Sequence, residues 1–246
     1  MPALAGTQSI ITENELRAFG KCPRLFSFGG TDVFPPNVAL LKLTVEKVIS
    51  SAVRKDKLDP MGRHMKSLLQ ATKELKLKDR YLDGQVQAFE TEVGLAIGEL
   101  FEAFQAHKYL PIFGPTPWKI SIARSTVQLE TSGILRGPDK TLHFIDFSPY
   151  QTLHGFKNDP ISYLKLQTVR QFTKPWFKEN KIVLHVFSIN ERGTLLYNKI
   201  ENLTPSLVAI ERIERQVKAM MIGYDSPVLP CNSPCPFKQK CFLETE

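Results

Sequence analysis

The chain has 246 residues, 42% of them hydrophobic, which is enough for a globular core and argues against a disordered chain. Its 32 Lys and Arg against 25 Asp and Glu give a formal charge of +7, which favours polyanions over acidic proteins as partners. No stretch approaches the ~20 apolar residues of a transmembrane helix, and residues 1–8 lack the pattern of a secretory signal, so we expect a soluble cytoplasmic protein with no membrane partner.

The first half of the chain has the pattern of helices. Thr12 and Glu15 form a capping box, which is typical of a helix start. Apolar residues at helical spacing then predict one helix near residues 38–52 and a longer one near 86–104. We expect a helical lobe over about residues 38–110.

Cations are concentrated between these two predicted helices. They are Arg54, Lys55, Lys57, Arg63, Lys66, Lys73, Lys76, Lys78 and Arg80. Such a stretch can be a phosphate-binding surface or simply the solvated face of short helices, and composition does not separate the two interpretations.

The second half of the chain changes to strands after a proline-rich segment. The predicted elements are strands at 118–123, 126–135 and 141–147, a helix beginning near 160, strands at 181–189 and 194–200, and a helix over about 205–222. This order predicts an α/β fold with a mixed sheet flanked by helices. The sheet core is expected over about 116–200, and the C-terminal helix and cysteines over 205–246, within a single domain spanning 1–246.

The four cysteines have an uneven distribution. Cys22 lies near the N-terminus, whereas Cys231, Cys235 and Cys241 fall within eleven residues of one another. Disulfides are disfavoured in a cytosolic chain, so this arrangement favours a site in which four thiolates bind a metal. An iron–sulfur cluster and a zinc ion are both compatible with four cysteines.

Both ends of the chain carry a family resemblance. Residues 10–28 contain Cys-Pro-Arg-Leu-Phe beginning at Cys22, and residues 230–241 contain the cysteine triplet. With the strand–helix–strand core between them, these segments resemble the RecB-like branch of the PD-(D/E)XK nucleases that retains an iron–sulfur cluster. The spacing differs in one place, because three residues rather than two separate Cys231 from Cys235.

The resemblance implies a fold and a cofactor. The fold would be a restriction-endonuclease-like core with a mixed five-stranded sheet and a helical N-terminal lobe. The cofactor would be a 4Fe-4S cluster, with zinc as the alternative, bound by Cys22, Cys231, Cys235 and Cys241. Because such a cluster closes a loop of about two hundred residues, it would stabilise the fold and need not carry electrons.

The positions of the family's catalytic motif are mostly substituted. The family uses carboxylates to bind Mg²⁺ or Mn²⁺ and a lysine to position water. Matched to that motif, Arg136 takes the place of a metal-binding aspartate, Asp146 retains the second acidic position, and Ser148 replaces the lysine. Arg136 would repel a metal ion, and it could instead pair with Asp146 or bind a DNA phosphate.

Two further motif positions leave one route to activity open. Glu46 takes the place of a histidine that faces the metal, and Gln167 of the later helix is retained. A relocated lysine, Lys165, could complete a minimal Mg²⁺ or Mn²⁺ site with Glu46 and Asp146.

We therefore expect a catalytically inactive DNA-binding protein, an accessory factor in replication, recombination or transcription, with single-stranded DNA as ligand. A viral origin would fit a small diverged copy of the domain. The candidate DNA contacts are Arg136, Lys165, Gln167, Arg170, Arg54, Lys55 and Lys57. A divergent metal-dependent DNA exonuclease is the first alternative, and an interaction module for a polymerase or helicase is the second.

Overall fold

A computed structural model describes residues 10–21, 33–54, 62–173, 181–201 and 207–221. The elements of the first half are β1 Ile10–Thr12, α1 Glu13–Lys21, α2 Pro36–Val53, α3 Gly62–Glu74, α4 Leu77–Arg80 and α5 Asp83–Ala106. The later elements are β2 Leu110–Phe113, β3 Thr116–Ile122, β4 Ser125–Thr131, β5 Gly133–Arg136, β6 Leu142–Phe147, α6 Leu153–Lys157, α7 Pro160–Thr173, β7 Ile182–Ile189, β8 Leu195–Ile200 and α8 Leu207–Met221.

The larger sheet has five strands in the order β2-β5-β6-β7-β8. Strands β6 and β7 pair in parallel, with Asp146 opposite Val186, whereas the other three pairs are antiparallel. The parallel pair requires a crossover connection, which α6 and α7 provide. This mixed α/β sheet flanked by helices confirms the predicted fold class.

Successive residues of β6 face opposite sides of the sheet, because side chains alternate along a strand. Ile145 and Phe147 pack into a core formed with α2, α3 and α5. Phe144 packs into a second core together with Leu166 and Val169 of α7. Helices α2 and α7 therefore cover opposite faces of the five-stranded sheet.

A second sheet has three strands in the order β1-β4-β3. Strand β1 pairs in parallel with β4, with Ile11 opposite Val127. The capping box is confirmed, since the Thr12 N–H donates to Glu15 Oε2 at 2.7 Å and the Glu15 N–H donates to Thr12 Oγ1 at 3.3 Å. Helix α1 packs against α8, and a Cβ on Gly20 would lie 2.9 Å from Gln216 Nε2.

The chain divides into two compact units. The first contains residues 1–33, 119–129 and 206–246, and the second contains residues 34–118 and 130–205. The first unit is assembled from three separate segments of sequence, whereas the second contains the five-stranded sheet and the helices that cover it.

Two strands depart from the sequence prediction. The strand predicted at 126–135 is divided at Ser132 into β4 and β5, which belong to different sheets. Strand β2, in the proline-rich segment, was not predicted; it contains Pro111 and is an edge strand, where proline is tolerated.

The predicted helices agree closely with the observed ones. The helices predicted near 38–52, 86–104 and 205–222 are α2, α5 and α8. Across the described ranges, no helix is both long and apolar enough to cross a bilayer.

Candidate functional site

Asp146 lies in β6 on the face of the sheet that α7 covers. Its carboxylate Oδ1 is 2.5 Å from Lys165 Nζ, and each side chain is 1% exposed. The retained acid of the motif and the candidate relocated lysine therefore form one ion pair inside the protein.

The beginning of α7 fixes the position of Lys165. Asp159 caps this helix by accepting the Ile161 N–H at 3.0 Å, and Ser148 at the end of β6 donates to the same carboxylate at 2.9 Å. Ser148, the residue that the predicted motif matches to a lysine, thus anchors α7 to β6. Lys165 follows about one and a half helical turns after the cap and points back toward Asp146.

The surroundings of Asp146 do not fit a divalent metal ion. A hard cation needs several oxygen ligands, and here an ammonium group already contacts one carboxylate oxygen. Within the part of the chain that the structure describes, no three His, Cys, Asp or Glu side chains are grouped to hold a metal. The described residues therefore provide no magnesium or manganese site at Asp146.

Glu46, the third member of the minimal site, has other partners. Its Oε1 accepts from Lys42 Nζ at 2.6 Å and from Ser132 Oγ at 2.8 Å. Glu46 lies on α2, and this helix packs on the opposite face of the sheet from α7. The structure brings Asp146 and Lys165 together and leaves Glu46 in a separate polar contact.

Arg136 lies at the far end of the β5–β6 hairpin from Asp146. It pairs with Leu142, four residues before Asp146, which corresponds to about 13 Å along a strand. The suggested pairing of Arg136 with Asp146 is therefore corrected, and Arg136 is exposed. Ser132 lies closer to Asp146 along this strand pair, since its N–H donates to the Ile145 carbonyl at 2.7 Å.

The other predicted DNA contacts have varied environments. Arg170 Nη2 donates to the Glu201 carbonyl, and Gln167 Oε1 is buried without a hydrogen-bond partner among the described residues. Arg54 is exposed at the end of α2. Lys55, Lys57 and the four cysteines Cys22, Cys231, Cys235 and Cys241 lie outside the described residues.

A cavity of about 640 Å³ lies between α2 and α3, and sequence reasoning did not identify it. Three cations and three hydroxyls line it: Lys47, Arg54, Lys66, Ser50, Ser51 and Ser67. The signal in the sequence was a polar row at helical spacing along α2, but such a row is equally typical of a solvated face.

Two buried histidines on neighbouring strands form a hydrogen-bonded chain with a tyrosine. His143 Nδ1 lies 2.8 Å from His185 Nε2, and His185 Nδ1 lies 2.9 Å from Tyr197 Oη. Burial lowers the pKa of His143 to about 4 and that of His185 to about 3, and it raises the pKa of Tyr197 to about 12. All three are therefore neutral at pH 7.

The fold defines the class of the protein as an α/β protein with a mixed five-stranded sheet flanked by helices. No protein-family model matches the sequence, and no curated protein matches it. A solved structure from Eubacterium rectale, described as a provisional exonuclease, is similar to this chain, with a TM-score of 0.54. It is 13% identical, and the match covers 92% of this chain and 86% of that one.

A second solved structure, of the protein SSO0001, matches at 13% identity and a TM-score of 0.35, covering 76% of this chain and 86% of that one. This TM-score is too low to show that the two proteins share a fold. The likeness to the Eubacterium rectale protein shows the fold alone, because the sequence identity is low.

Proposed function

We propose that this chain is a DNA-binding protein with a nuclease fold that does not cleave DNA. Its ligand would be single-stranded DNA, and its role that of an accessory factor in replication, recombination or transcription. The observation that carries the proposal is the ion pair of Asp146 with Lys165, both 1% exposed, at the only acidic motif position that the sequence retains. The similar fold of a provisional exonuclease and the formal charge of +7 support DNA as the ligand.

The absence of cleavage follows from the charges around Asp146. Phosphodiester hydrolysis by a metal ion needs an exposed carboxylate that can bind the metal beside the substrate phosphate. Breaking the buried pair to free Asp146 would remove a counter-ion from a buried charge, which costs about 3–5 kcal/mol. The core of the protein therefore holds Asp146 away from metal and DNA.

An iron–sulfur cluster bound by Cys22, Cys231, Cys235 and Cys241 is part of this proposal, with zinc as the alternative. The contact between α1 and α8 supports it, because Cys22 directly follows α1 in the sequence and the cysteine triplet follows α8. The ten residues from Met221 to Cys231 can span up to about 33 Å, so the connection permits this ligation.

A divergent metal-dependent DNA exonuclease is the second candidate. The adjacency of Lys165 and Asp146 favours it, because nucleases of this fold can place the catalytic lysine on the neighbouring helix. Burial of both groups is the argument against it.

The test compares binding with cleavage. Protein purified without oxygen is titrated with a labelled single strand over a series of salt concentrations, and the same strand is incubated with Mn²⁺. We expect binding that weakens steeply with salt and no cleavage. Cleavage that disappears in Asp146→Asn but persists in the control Glu211→Gln, an exposed acid on α8, would establish the exonuclease. A protein that neither binds nor cleaves would favour the interaction module for a polymerase or helicase.

A further inference from the structure

We propose that the cavity between α2 and α3 binds the sugar-phosphate backbone of a DNA strand. The inference deepens the proposed function and depends on it. The cavity volume of about 640 Å³ is in the range of ligand sites and far exceeds that needed for a single ion. Its lining combines positive charge with hydroxyl donors, which is the chemistry that recognises phosphate.

The cations of the cavity are available to a phosphate. Arg54 and Lys66 are exposed, and neither makes an ion pair with another described residue. Lys47 Nζ lies 2.7 Å from Glu74 Oε1 in a pair open to solvent, and such a pair stabilises the protein by less than about 1 kcal/mol. A phosphate can therefore replace Glu74 as the partner of Lys47 at little cost.

The single acid in the lining is already neutralised. Glu46 lines the cavity, and its Oε1 accepts from Lys42 Nζ at 2.6 Å and from Ser132 Oγ at 2.8 Å. Arg54 and Lys66 thus add positive charge that no carboxylate of the lining balances, so the cavity attracts anions.

The serine hydroxyls can orient a bound phosphate, and two helices and a closely packed turn form the walls of the cavity. Ser50 and Ser51 lie between Lys47 and Arg54 on α2, a span of seven residues or about 10.5 Å of helix. The turn between β2 and β3 contributes Pro115, and it approaches α2 so closely that a Cβ on Gly114 would lie 2.8 Å from Ser50 Oγ. Two helices and a closely packed turn therefore set the backbone positions of the residues that carry these donors.

The experiment compares two triple variants with the same change in charge. The cavity variant carries Lys47→Gln, Arg54→Gln and Lys66→Gln. The control carries Lys73→Gln, Lys78→Gln and Lys157→Gln, three exposed lysines outside the lining. Affinity for a labelled single strand is measured by fluorescence anisotropy at several salt concentrations, after circular dichroism confirms that each protein is folded.

We expect the cavity variant to lose about 2 from the slope of log affinity against log salt, because each phosphate contact on a single strand contributes about 0.7. If the two proteins bind equally at about 1 M salt, the cavity variant should bind about a hundredfold more weakly than the unchanged protein at about 0.1 M salt. The control variant should keep the slope of the unchanged protein. Equal losses in both variants would show diffuse attraction and overturn the inference, whereas a wild-type protein that binds no strand would overturn the proposed function itself.

A substitution without a charge change tests the cavity separately. Ser51→Leu narrows the space between the helices and removes a donor, and we expect binding at least about tenfold weaker with an unchanged salt slope from the remaining cations. Undiminished binding by Ser51→Leu would overturn the assignment of the strand to this cavity. So would a nucleoside triphosphate that displaces the strand at low micromolar concentration, since the cavity would then be a site for a free nucleotide.

Discussion

Lys165 Nζ lies 2.5 Å from Asp146 Oδ1, and the pair joins α7 to β6 in a region without solvent exposure. The acid that the sequence matches to a catalytic motif position thus has an ion-pair partner in the structure. Because both groups are charged and buried, we expect the loss of either one to destabilise the protein.

Substituting either residue of this pair should destabilise the protein strongly, whereas substituting both should destabilise it much less. Asp146→Leu or Lys165→Met alone leaves one buried charge without its counter-ion and should lower the free energy of unfolding by about 3–5 kcal/mol. The double variant should recover most of this loss, because a buried pair can be replaced by apolar side chains of similar volume. Urea unfolding of all four proteins measures the coupling, and additive losses would contradict a direct ion pair.

The histidine pair should make the protein sensitive to acid. Burial lowers the pKa of His143 to about 4 and that of His185 to about 3, below the value of about 6.5 expected in the unfolded chain. The unfolded state therefore binds protons first as the pH falls. Stability is fully present above about pH 6.5 and decreases toward pH 4, by about 3 kcal/mol for His143 alone.

Urea unfolding at about pH 7.5 and about pH 4.5 measures this dependence. His143→Gln should flatten the decrease between these two values, although it weakens the protein at pH 7.5 by removing a partner of His185. The control His154→Gln changes an exposed histidine and should keep the full dependence. If the stability of the two variants depended on pH in the same way, the buried histidine pair would not be the cause of the acid sensitivity.

Gly193 in the β7–β8 turn is required by backbone geometry. Its φ is +77°, and a Cβ there would lie 2.9 Å from Glu92 Cγ. Gly193→Ala should therefore destabilise the protein by about 1–2 kcal/mol. Gly98→Ala is the matched control, because Gly98 is helical with no atom within 4 Å of the added Cβ, and it should stabilise by about 0.5–1 kcal/mol. Thermal unfolding measures the stability of both variants, and a change of the same sign in both would contradict a backbone requirement for glycine at Gly193.

The proposed cluster predicts a metal content and a colour. Protein purified without oxygen should be brown and contain about four irons per chain. Cys22→Ser should lower the iron content and the melting temperature together, because it removes a ligand and loosens the long loop. Elemental analysis that finds about one zinc and no iron would replace the cluster with a zinc site.

Helices could be predicted from the sequence because their signal is local. The apolar repeat that predicted residues 38–52 corresponds to α2, Pro36–Val53, and the Thr12–Glu15 capping box has the expected hydrogen bonds. These features depend on residues within a few turns of one another.

Strand assignment failed where the decision depends on distant parts of the chain. Residues 126–135 were predicted to form one strand, yet β4 pairs with β1 and β5 pairs with β6. A Cβ on Gly133 would lie 2.7 Å from Ile49 Cδ1, so close packing against α2 fixes the chain at this point. Neither contact has a signature in the local sequence.

The arrangement of the candidate site could not be predicted from the sequence. Asp146 and Lys165 were both named as candidates, but their burial depends on how α7 packs on the sheet. Arg136 was matched to a metal-binding position of the motif, whereas the hairpin register places it opposite Leu142. The contact between His143 and His185 joins residues 42 positions apart, and no spacing rule predicts it.

The parallel pairing of β1 with β4 also bears on the order of events during synthesis. Ile10 meets Thr126, so the first strand leaves the ribosome more than a hundred residues before its partner exists. Helix α1 can make its contact with α8 only later still, because α8 ends at Met221. The unit containing these elements can therefore complete its packing only after all strands of the five-stranded sheet have been synthesised.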